Sequence, residues 1–326
     1  MACGGVFAAG DAREKTLIRE LDLIIPAVPD NAGDGSLAAR VRRRSRAPAA
    51  SDAPRGLAPV VRDALGLDAR AYPAAALTAL GLGLPAKSWY CLAEAVALDV
   101  HTDHVRLAAT PAPDAAEADA LTDALAGLWA DDGITVHAVG DGTLLVGWHD
   151  APAARDASAA GVPPLAAVLG ERPDAVLDDH RGLWRLLTEV QMLLHTHPIN
   201  DARRARGVPP VDGLWLSEGG RAPSAWPDDA PAPPALLAGT APLLAGLARL
   251  GGVRHLASPP APDAAEGVTR ALCVLETDAA RDAWLDRAWR ALRRGRLHRL
   301  RWWDAAGDGG ELVRFDPWRV WRRRAT

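Results

Sequence analysis

The sequence predicts an α/β protein in which a mixed β-sheet carries flanking helices, with room for an α+β subdomain. Three observations support this fold class. A short apolar run near the N-terminus is typical of a buried strand, alternating apolar and polar positions follow in the middle, and helical periodicity returns between strand patterns towards the C-terminus. The 326 residues suffice for one large domain or two ordinary ones. We expect a division into residues 1–88 and 89–326, unless both form one compact domain.

The N-terminal segment begins with a buried strand. Residues 17–28 contain LDLIIP, whose Pro26 suits a strand that runs into a loop, and the following PDNAGDGS is rich in turn-forming residues. Residues 46–56 have the composition of a flexible connection. Two short helices rich in Ala and Leu are predicted over residues 57–66 and 73–80.

The middle of the chain predicts strands and one well-capped helix. The segments CLAEAVALDV and HVRLAA alternate apolar with polar residues, which indicates two strands joined at residues 101–103. A helix is expected over residues 114–130, because Asp114 can serve as its N-cap and Glu117 lies three residues on as a capping-box partner. GITVHAV and TLLVGWH then predict a hairpin around residues 140–142.

The clearest amphipathic helix covers residues 180–195. Its apolar stripe falls at i, i+4, i+7 and i+11 and consists of Leu183, Leu187, Val190 and Leu194. Asp178 or Asp179 can cap the start of this helix, and Pro198 ends it. The remaining expectations are a strand over 211–216, a Pro-rich loop over 222–234, a helix over 236–250, a strand over 268–276, a helix over 278–294 and a hairpin of 297–303 with 311–315.

Composition and charge exclude several classes of protein. The formal net charge of −4 gives no general case for binding nucleic acid or an acidic membrane, and the basic runs near 42–46, 293–301 and 319–324 are interpreted as solvated surface and a charged tail. The 3 cysteines lack C-x-x-C spacing, which argues against a disulfide framework and favours a reducing, cytoplasmic setting. No apolar run reaches the roughly 18 residues of a membrane span, and no signal peptide is evident.

The most specific chemistry lies between residues 189 and 221, EVQMLLHTHPINDARRARGVPPVDGLWLSEGGR. An apolar helix ends at a His-Pro, Asn and Arg side chains follow, and an apolar run then enters a glycine pair. Guanidinium groups match phosphate and carboxylate, and glycines let backbone N–H groups approach an anion. We therefore expect a small anionic metabolite as the ligand, with these contacts: His195, His197, Asn200, Arg203, Arg206, Gly219, Gly220 and Arg221.

Each of these features also has a purely structural explanation. The helix dipole favours a His at a helix C-terminus, Arg side chains commonly serve as surface charges, and Gly-Gly also forms plain turns. No catalytic residue is identified, because the sequence has no G-x-S-x-G frame, P-loop or Rossmann glycine pattern. His101 and His104 could share a metal only if a turn brought them together, since positions i and i+3 of a strand point to opposite faces.

The 189–221 stretch resembles the cofactor-independent phosphoglycerate mutases of the archaeal type, members of the alkaline-phosphatase superfamily. Their pattern is an apolar helix, His-Pro-x-Asn, an Arg, a Gly and a strand ending in Trp-x-x-Gly-x-Gly-Lys/Arg-x-Pro. It is matched here by His197-Pro198-Ile199-Asn200, Arg203 or Arg204, Gly207, Leu214-Trp215-Leu216, Gly219-Gly220-Arg221 and Pro223. A bacterial group named as mutases or as RpfE-type regulatory proteins carries EVQMLL-x-THP-x-ND-x-R-x-x-RG, which is matched almost residue for residue at 189–207.

The resemblance is strong over residues 189–252 and implies a phosphoglycerate-mutase-like fold. In active members two metal ions are held by Asp and His, and a Ser or Thr carries the phosphoryl group. Here the first strand ends without an Asp, since Asp30 and Asp34 come only further on, and residues 253–326 contain His255 and His298 without a ligand pattern. The resemblance therefore implies a mutase-like protein that is degenerate at its metal site, takes no cofactor and binds a phosphorylated or carboxylated metabolite in a regulatory role.

Two alternatives stay open. An active metal-dependent phosphomutase or phosphatase would bind Mn or Zn through scattered ligands, whose candidates are Asp30, Asp34, Asp178, His180, His195 and His197. A nonenzymatic interaction protein would use the basic, Trp-rich C-terminus for a protein partner that the sequence does not identify. In-line phosphoryl transfer in this superfamily needs two cations to offset charge on the attacking and leaving oxygens, so metal content separates the first alternative from the others.

Overall fold

The computed structural model describes residues 18–26, 37–46, 56–140, 142–149, 159–260, 268–304, 308–314 and 316–318. Within them the strands are β1 (Glu20–Ile25), β2 (Trp89–Val100), β3 (Val105–Ala109), β4 (Ile134–Ala138), β5 (Leu144–Trp148), β6 (Gly213–Arg221), β7 (Leu236–Ala238), β8 (Arg254–Leu256), β9 (Arg270–Val274), β10 (Arg299–Asp304) and β11 (Gly309–Val313). The helices are α1 (Leu37–Arg44), α2 (Leu57–Leu65), α3 (Ala74–Leu82), α4 (Ala115–Leu128), α5 (Leu165–Val168), α6 (Pro173–Val176), α7 (Arg181–His195), α8 (Pro198–Ala205), α9 (Pro242–Gly251) and α10 (Asp278–Arg293).

The first sheet has the strand order β11-β10-β1-β9-β7-β8. Its neighbouring strands are parallel, except that β11 returns antiparallel to β10. Strand β1 lies in the interior of the sheet, where Leu23 is opposite Cys273 of β9 and Trp302 of β10. The predicted mixed sheet is confirmed.

Helices cover both faces of this first sheet. Leu21 and Leu23 share an apolar cluster with residues of α1 and α10, whereas Ile24 shares another with residues of α2, α3 and α9. Successive side chains of a strand point to opposite faces, so the mainly apolar run that predicted β1 supplies apolar side chains to both layers. The flanking helices of the predicted fold class are thereby confirmed.

A buried carboxylate interrupts the apolar run of β1. Asp22 is 1% exposed, and Arg301 donates to both of its oxygens at 2.7 Å while Arg270 donates at 3.2 Å. Both guanidinium groups also donate to the carbonyl oxygen of Ala64, near the end of α2. Two cations on the neighbouring strands thus compensate the buried charge and connect α2 to the sheet.

The second sheet is antiparallel and is built around β2. Its strand order is β3-β2-β5-β4, and β6 also pairs with β2. Because β2 is 12 residues long, its first residues bond both β5 and β6 while its last residues bond β3. Helices α4 and α7 contribute Leu121 and Val190 to a core shared with Val146 of β5. These elements form the expected α+β subdomain.

Helix α3 connects the two sheets. Its Leu77 belongs to the apolar cluster of the first sheet, while Ala79 packs with Tyr90 of the second. Along its length α3 also packs against α9 at glycine positions, since a Cβ at Gly81 would lie 1.9 Å from a backbone oxygen of α9 and one at Gly246 would lie 1.8 Å from the Leu77 oxygen. The close approach of these helices therefore excludes larger side chains at both positions.

Most predicted elements are confirmed, and two boundaries differ by more than two residues. The strand predicted over 211–216 continues to Arg221 as β6. The helix predicted over 236–250 was wrong at its start, because its first residues form β7 between β8 and β9 and α9 begins only at Pro242. Gly239 separates the two elements with φ 148°, a conformation that side chains other than glycine rarely adopt.

Of the two predicted helix N-caps, the one of α4 is confirmed and the one of α7 is wrong. Asp114 and Glu117 form the predicted capping box of α4, in which each side chain accepts from the other residue's backbone N–H. For α7, neither Asp178 nor Asp179 is the cap, because the N-cap residue is His180, which makes no side-chain capping hydrogen bond. The prediction failed because the chain makes a turn before His180 and places the helix start later.

The chain enters the second sheet at Trp89, one residue after the predicted boundary at 88. It leaves this sheet after Arg221 and returns to the first sheet at β7, so β7 to β11 share a sheet with β1. The division into domains 1–88 and 89–326 stays a prediction. In the described ranges, no helix combines the length and the apolar character needed to span a bilayer.

Candidate ligand-binding site

The junction of α7 and α8 holds the two predicted histidines. His195 is the exposed last residue of α7, where a cationic side chain suits the helix dipole. His197 is the N-cap of α8, and its Nδ1 accepts a hydrogen bond from the Ile199 backbone N–H at 3.3 Å. Pro198 at the first helical position needs no hydrogen-bond acceptor for its nitrogen, so the His-Pro pair starts α8 as well as ending α7.

Asn200 makes its hydrogen bonds inside the protein. Its side chain is buried, and its amide nitrogen donates to the carbonyl oxygens of Leu194 at 2.9 Å and Val211 at 2.8 Å. Its amide oxygen accepts from the Val211 N–H at 2.8 Å. Asn200 therefore holds the end of α7 against the segment that leads into β6.

The predicted arginines pair with a carboxylate that lies far away in the sequence. Arg203 is 4% exposed, donates to the Pro209 carbonyl oxygen at 2.7 Å and forms an ion pair with Glu117 of α4. Arg206 is half-exposed and bonds the other Glu117 oxygen. The sequence marked Glu117 only as a capping residue, because nothing local reveals a partner 86 residues away.

The α4 N-terminus completes this network. Arg206 lies 3.6 Å from Asp114, and the Glu117 backbone N–H donates to the same carboxylate. That N–H bond and then the charge of Arg206 hold the pKa of Asp114 below its ordinary value, despite some desolvation. The arginines expected to bind a ligand thus contribute at least part of their charge to anchoring α4 and α8.

Gly219, Gly220 and Arg221 lie at the C-terminal end of β6, away from the α7–α8 junction that precedes its start. The Gly219 N–H donates to the Ala159 carbonyl oxygen at 3.0 Å. A Cβ at Gly220 would lie 2.3 Å from Cγ of Pro73, so this glycine provides close packing between β6 and the start of α3. Arg221 is exposed and lies opposite Trp89 of β2.

The predicted contacts therefore form two groups at opposite ends of β6. The eight residue steps from Gly213 to Arg221 span about 25 Å of strand, too far for one small anion to bridge. The ligand contacts of the eight residues stay a prediction. For Asn200 or Arg203 to bind a ligand, the side chain would first have to break its hydrogen bonds within the protein.

A cavity of about 420 Å³ lies where α2 and the start of α3 face β6 and the segment 160–164. Gly219 is the predicted ligand residue that lines it. Its charged side chains, which were not predicted from the sequence, are Arg62, Arg70 and Glu218, and we call it the Arg70 cavity. A charged residue soon after the apolar residues 213–216 was the sequence signal that could have singled out Glu218.

A buried ion pair forms one wall of the Arg70 cavity. Arg62 and Glu218 have side chains 5% and 8% exposed and make a two-pronged contact, with one bond of 2.7 Å. The Ala74 N–H also donates to Glu218 at 3.3 Å. Glu218 has φ 57°, and it is the one non-glycine residue with positive φ in the described ranges. A side chain held by three donors explains why this costly backbone conformation persists.

Arg70 itself is the remaining cation of the Arg70 cavity. Its side chain is exposed, and no ion pair to it is found among the residues that the structure describes. The Asp68 carboxylate bonds the Arg70 backbone N–H at 3.0 Å and the Ala71 N–H at 2.9 Å. This turn fixes the backbone of Arg70 and leaves its guanidinium group available to an anion.

The candidate metal ligands include residues inside and outside the described ranges. No group of three or more His, Cys, Asp or Glu side chains that could hold a metal occurs in the described part of the chain, and Asp30 and Asp34 lie outside it. A turn does bring His101 and His104 together, with rings stacked 4.5 Å apart. The His101 ring contacts the Asp99 carboxylate, and the His104 ring contacts the Asp103 carboxylate.

Part of the Trp-rich C-terminal region lies among the described residues. Trp302 is buried in the apolar cluster of the first sheet and donates to the Ser45 hydroxyl at 2.8 Å. Trp303 is half-buried, and the Arg301 guanidinium lies 5.3 Å from its ring centre. The basic run 319–324, which includes Trp321, lies outside the described residues, so the proposed interaction surface there stays a prediction.

Comparison with known proteins yields structural similarity alone. No protein-family model matches the sequence, and no curated protein matches it at a significant level. The chain is similar in structure to the cofactor-independent phosphoglycerate mutase from Thermoplasma acidophilum DSM 1728, with 16% identity, a TM-score of 0.41 and coverage of 91% of this chain and 90% of that one. It is also similar to the PH0037 protein from Pyrococcus horikoshii, with 14% identity, a TM-score of 0.44 and coverage of 91% and 87%. Membership of the mutase family or of the RpfE-type regulatory proteins stays a hypothesis.

Proposed function

We propose that this mutase-like protein binds a small phosphorylated or carboxylated metabolite and that binding serves a regulatory rather than a catalytic role. The observation that carries the proposal is the position of Arg70, exposed at the Arg70 cavity beside the buried Arg62–Glu218 pair. The volume of this cavity falls within the range of small-molecule sites, roughly 300–1,000 Å³.

The charges of the Arg70 cavity favour an anion. Its charged lining residues are Arg62, Glu218 and Arg70, and the first two neutralise each other in their buried contact. Arg70 therefore leaves one net positive charge, on a guanidinium group whose fork matches a carboxylate or phosphate. The Arg62–Glu218 pair adds a fixed dipole without changing the net charge.

Bare backbone also favours an anion in this cavity. Gly161 lines the wall with φ 80°, and a Cβ there would meet no atom within 4 Å. An N–H group in such an open glycine turn can approach an oxyanion closely. Gly219, predicted as a contact from the sequence, lines the same space.

A degenerate metal site is the second part of the proposal. The resembling family supplies metal ligands from the region that corresponds to residues 253–326, and His255 is one of the two histidines available there. Its Nε2 lies 3.1 Å from the Gly239 carbonyl oxygen.

A reducing compartment is proposed as well, because Cys91 and Cys273 are buried as free thiols. Burial raises the pKa of Cys273 to about 12, which keeps this thiol protonated and unreactive.

The decisive experiment is titration calorimetry of the full chain with 3-phosphoglycerate, phosphoenolpyruvate, citrate and inorganic phosphate. At least one should bind, and Arg70→Ala should weaken that binding about tenfold or more, since a hydrogen bond to a charged group contributes roughly 1.5–3 kcal/mol. The matched control is Arg185→Ala, because Arg185 is also exposed but lies on α7 beside Glu189. Equal affinities of the two variants, or no binding to the wild type, would overturn the proposal.

Metal content distinguishes the enzyme alternative. The purified chain is incubated with Mn and Zn, desalted and subjected to elemental analysis, and its conversion of 3-phosphoglycerate to 2-phosphoglycerate is measured. We expect no retained metal and no conversion. About two equivalents of metal together with turnover would replace the regulatory proposal by a two-metal phosphomutase, because paired cations are what that chemistry requires.

A further inference from the structure

A second, larger cavity lies in the α+β subdomain, between the second sheet and α7. Its volume is about 630 Å³, and we call it the Asp212 cavity after a carboxylate in its lining. The sheet side comes from alternate residues of β2, which share one face: Val96, Leu98 and Val100. The helix side comes from residues at i, i+3, i+7 and i+11, which form one stripe of α7: Trp184, Leu187, Gln191 and His195. The β2 wall is thus apolar, whereas the α7 wall combines apolar and polar side chains.

Asp212 is a charged group that the backbone holds in place at this cavity. It is half-buried at the entry to β6, where its backbone N–H donates to the Val96 carbonyl oxygen at 2.9 Å. Its Oδ2 accepts the Leu98 N–H at 2.8 Å. No hydrogen bond to Oδ1 is found within the described part of the chain, so one carboxylate oxygen is held in place and open to a donor.

The other charged groups of the Asp212 cavity are already paired. Arg172 donates through Nε to Asp174 at 3.0 Å and makes a second bond to the same carboxylate. That contact lowers the pKa of Asp174 and keeps the pair charged. Asp103 at the rim lies 2.7 Å from the His104 ring. Asp212 therefore gives this cavity a negative character, opposite to that of the Arg70 cavity.

An aromatic ring and two polar side chains complete the lining. Trp184 is half-buried, and an indole face attracts cations through its quadrupole. Gln191 and His195 lie one helical turn apart, and neither side chain has a hydrogen bond among the described residues. A ligand can therefore add hydrogen bonds here without first breaking any.

We infer that the Asp212 cavity binds a small organic ammonium ion, an apolar body that carries one primary amine. The ammonium group donates to Oδ1 of Asp212, and the body packs between the β2 face and Trp184. An ammonium ion suits this position because it has only donors, whereas Oδ1 can only accept. An anion would meet the uncompensated carboxylate instead. This site is separate from the proposed metabolite site and has the opposite charge preference.

The test compares phenethylamine with 2-phenylethanol, which has the same ring and chain but no charge. Binding of each to the full chain is measured by ligand-observed NMR and calorimetry at pH 7.5, where alkyl amines with a pKa of roughly 10 are protonated. We expect phenethylamine to bind at least about tenfold more tightly, because a hydrogen bond between an ammonium group and a carboxylate is stronger than one from a neutral hydroxyl.

Two variants locate the binding. Asp212→Asn keeps the shape and an acceptor for the Leu98 N–H, and it should reduce the preference for the amine to about twofold or less. Asp201→Asn is the matched control, because Asp201 is an exposed carboxylate on α8 that does not line the cavity, and it should preserve the preference. Arg70→Ala should also leave amine binding unchanged, which separates this inference from the proposed function.

The affinities of the wild-type chain for phenethylamine and 2-phenylethanol test the inference even if Asp212→Asn folds poorly. Equal binding of amine and alcohol, or no amine binding at all, would refute the inference. So would an amine preference that survives in folded Asp212→Asn, as judged by circular dichroism, because the cation would then lie elsewhere.

Discussion

Arg203 provides the sharpest contrast between the role that the sequence suggested and the role that its contacts support. Replacing Arg203 by Met keeps much of the side-chain volume and removes the guanidinium group. The carboxylate of Glu117, in a residue 9% exposed, then loses one of its two cations, and the Pro209 carbonyl oxygen loses its donor. Breaking a buried ion pair by removing one partner costs about 3–5 kcal/mol.

The expected loss lies near the lower end of that range, at about 3 kcal/mol, because Arg206 still contacts the second Glu117 oxygen. It is measured as the change in the free energy of unfolding in urea, followed by Trp fluorescence and circular dichroism. Arg204→Met is the matched control, since Arg204 is 60% exposed and pairs with Asp201 on the surface. That change should cost less than about 0.5 kcal/mol.

The double variant Arg203→Met with Glu117→Gln adds a second check, because it removes the uncompensated carboxylate. It should recover part of the lost stability. The structural explanation of Arg203 fails if Arg203→Met unfolds like the wild type while its affinity for phosphorylated metabolites disappears. Such a result would return Arg203 to the ligand-binding role expected from the sequence.

Three further outcomes are expected. Asn200→Ala should lower the free energy of unfolding in urea by about 2–3 kcal/mol, because it leaves buried groups of Leu194 and Val211 without partners; a change below about 0.5 kcal/mol would contradict this. Gly220→Ala should destabilise by about 1–3 kcal/mol through its contact with Pro73, whereas Gly127→Ala, a helical site with no atom near the added Cβ, should be neutral or stabilising. Burial lowers the pKa of His137 below its ordinary value of 6.5, so the unfolded state binds its proton first and stability is lost as the pH falls through 6.5 and below. His137→Gln should therefore lose less stability than the wild type between pH 7.5 and 5, and equal losses would show that His137 does not contribute.

Elements that depend on local patterns were predictable from the sequence. The capping box of α4 requires only Asp114 and Glu117 in register, and the stripe of α7 requires only helical spacing. Strand β7 was missed because its three residues, Leu236–Ala238, are too few to show a strand pattern, although Gly239 and Pro242 mark a break before α9. Pairing with β8 and β9 turns these residues into a strand, and that pairing is a property of the tertiary fold.

The candidate site was predictable in its residue types but not in their partners. The sequence predicted Asn200 and Arg203 as ligand contacts, which stays a prediction, and the structure places both side chains in the interior with hydrogen bonds to backbone carbonyl oxygens. It could not show that Glu117 neutralises Arg203, because α4 and α8 meet only in the folded chain. Arg70 was missed for the opposite reason: a lone Arg in a turn has no sequence signal, and its interest arises from the cavity around it.

The interior position of β1 has a consequence for how the chain reaches its native state. Its partners in β9 and β10 lie 250 and 279 residues later, as Glu20 pairs with Arg270 and Arg299, so β1 joins the first sheet only through very distant contacts. The second sheet is drawn from residues 89–221 alone and can assemble while later segments are still being synthesised. Until residues 270–304 leave the ribosome, the apolar strand LDLII has no neighbour and is exposed to aggregation. Folding should therefore proceed from the middle of the chain outwards, with β1 joining last.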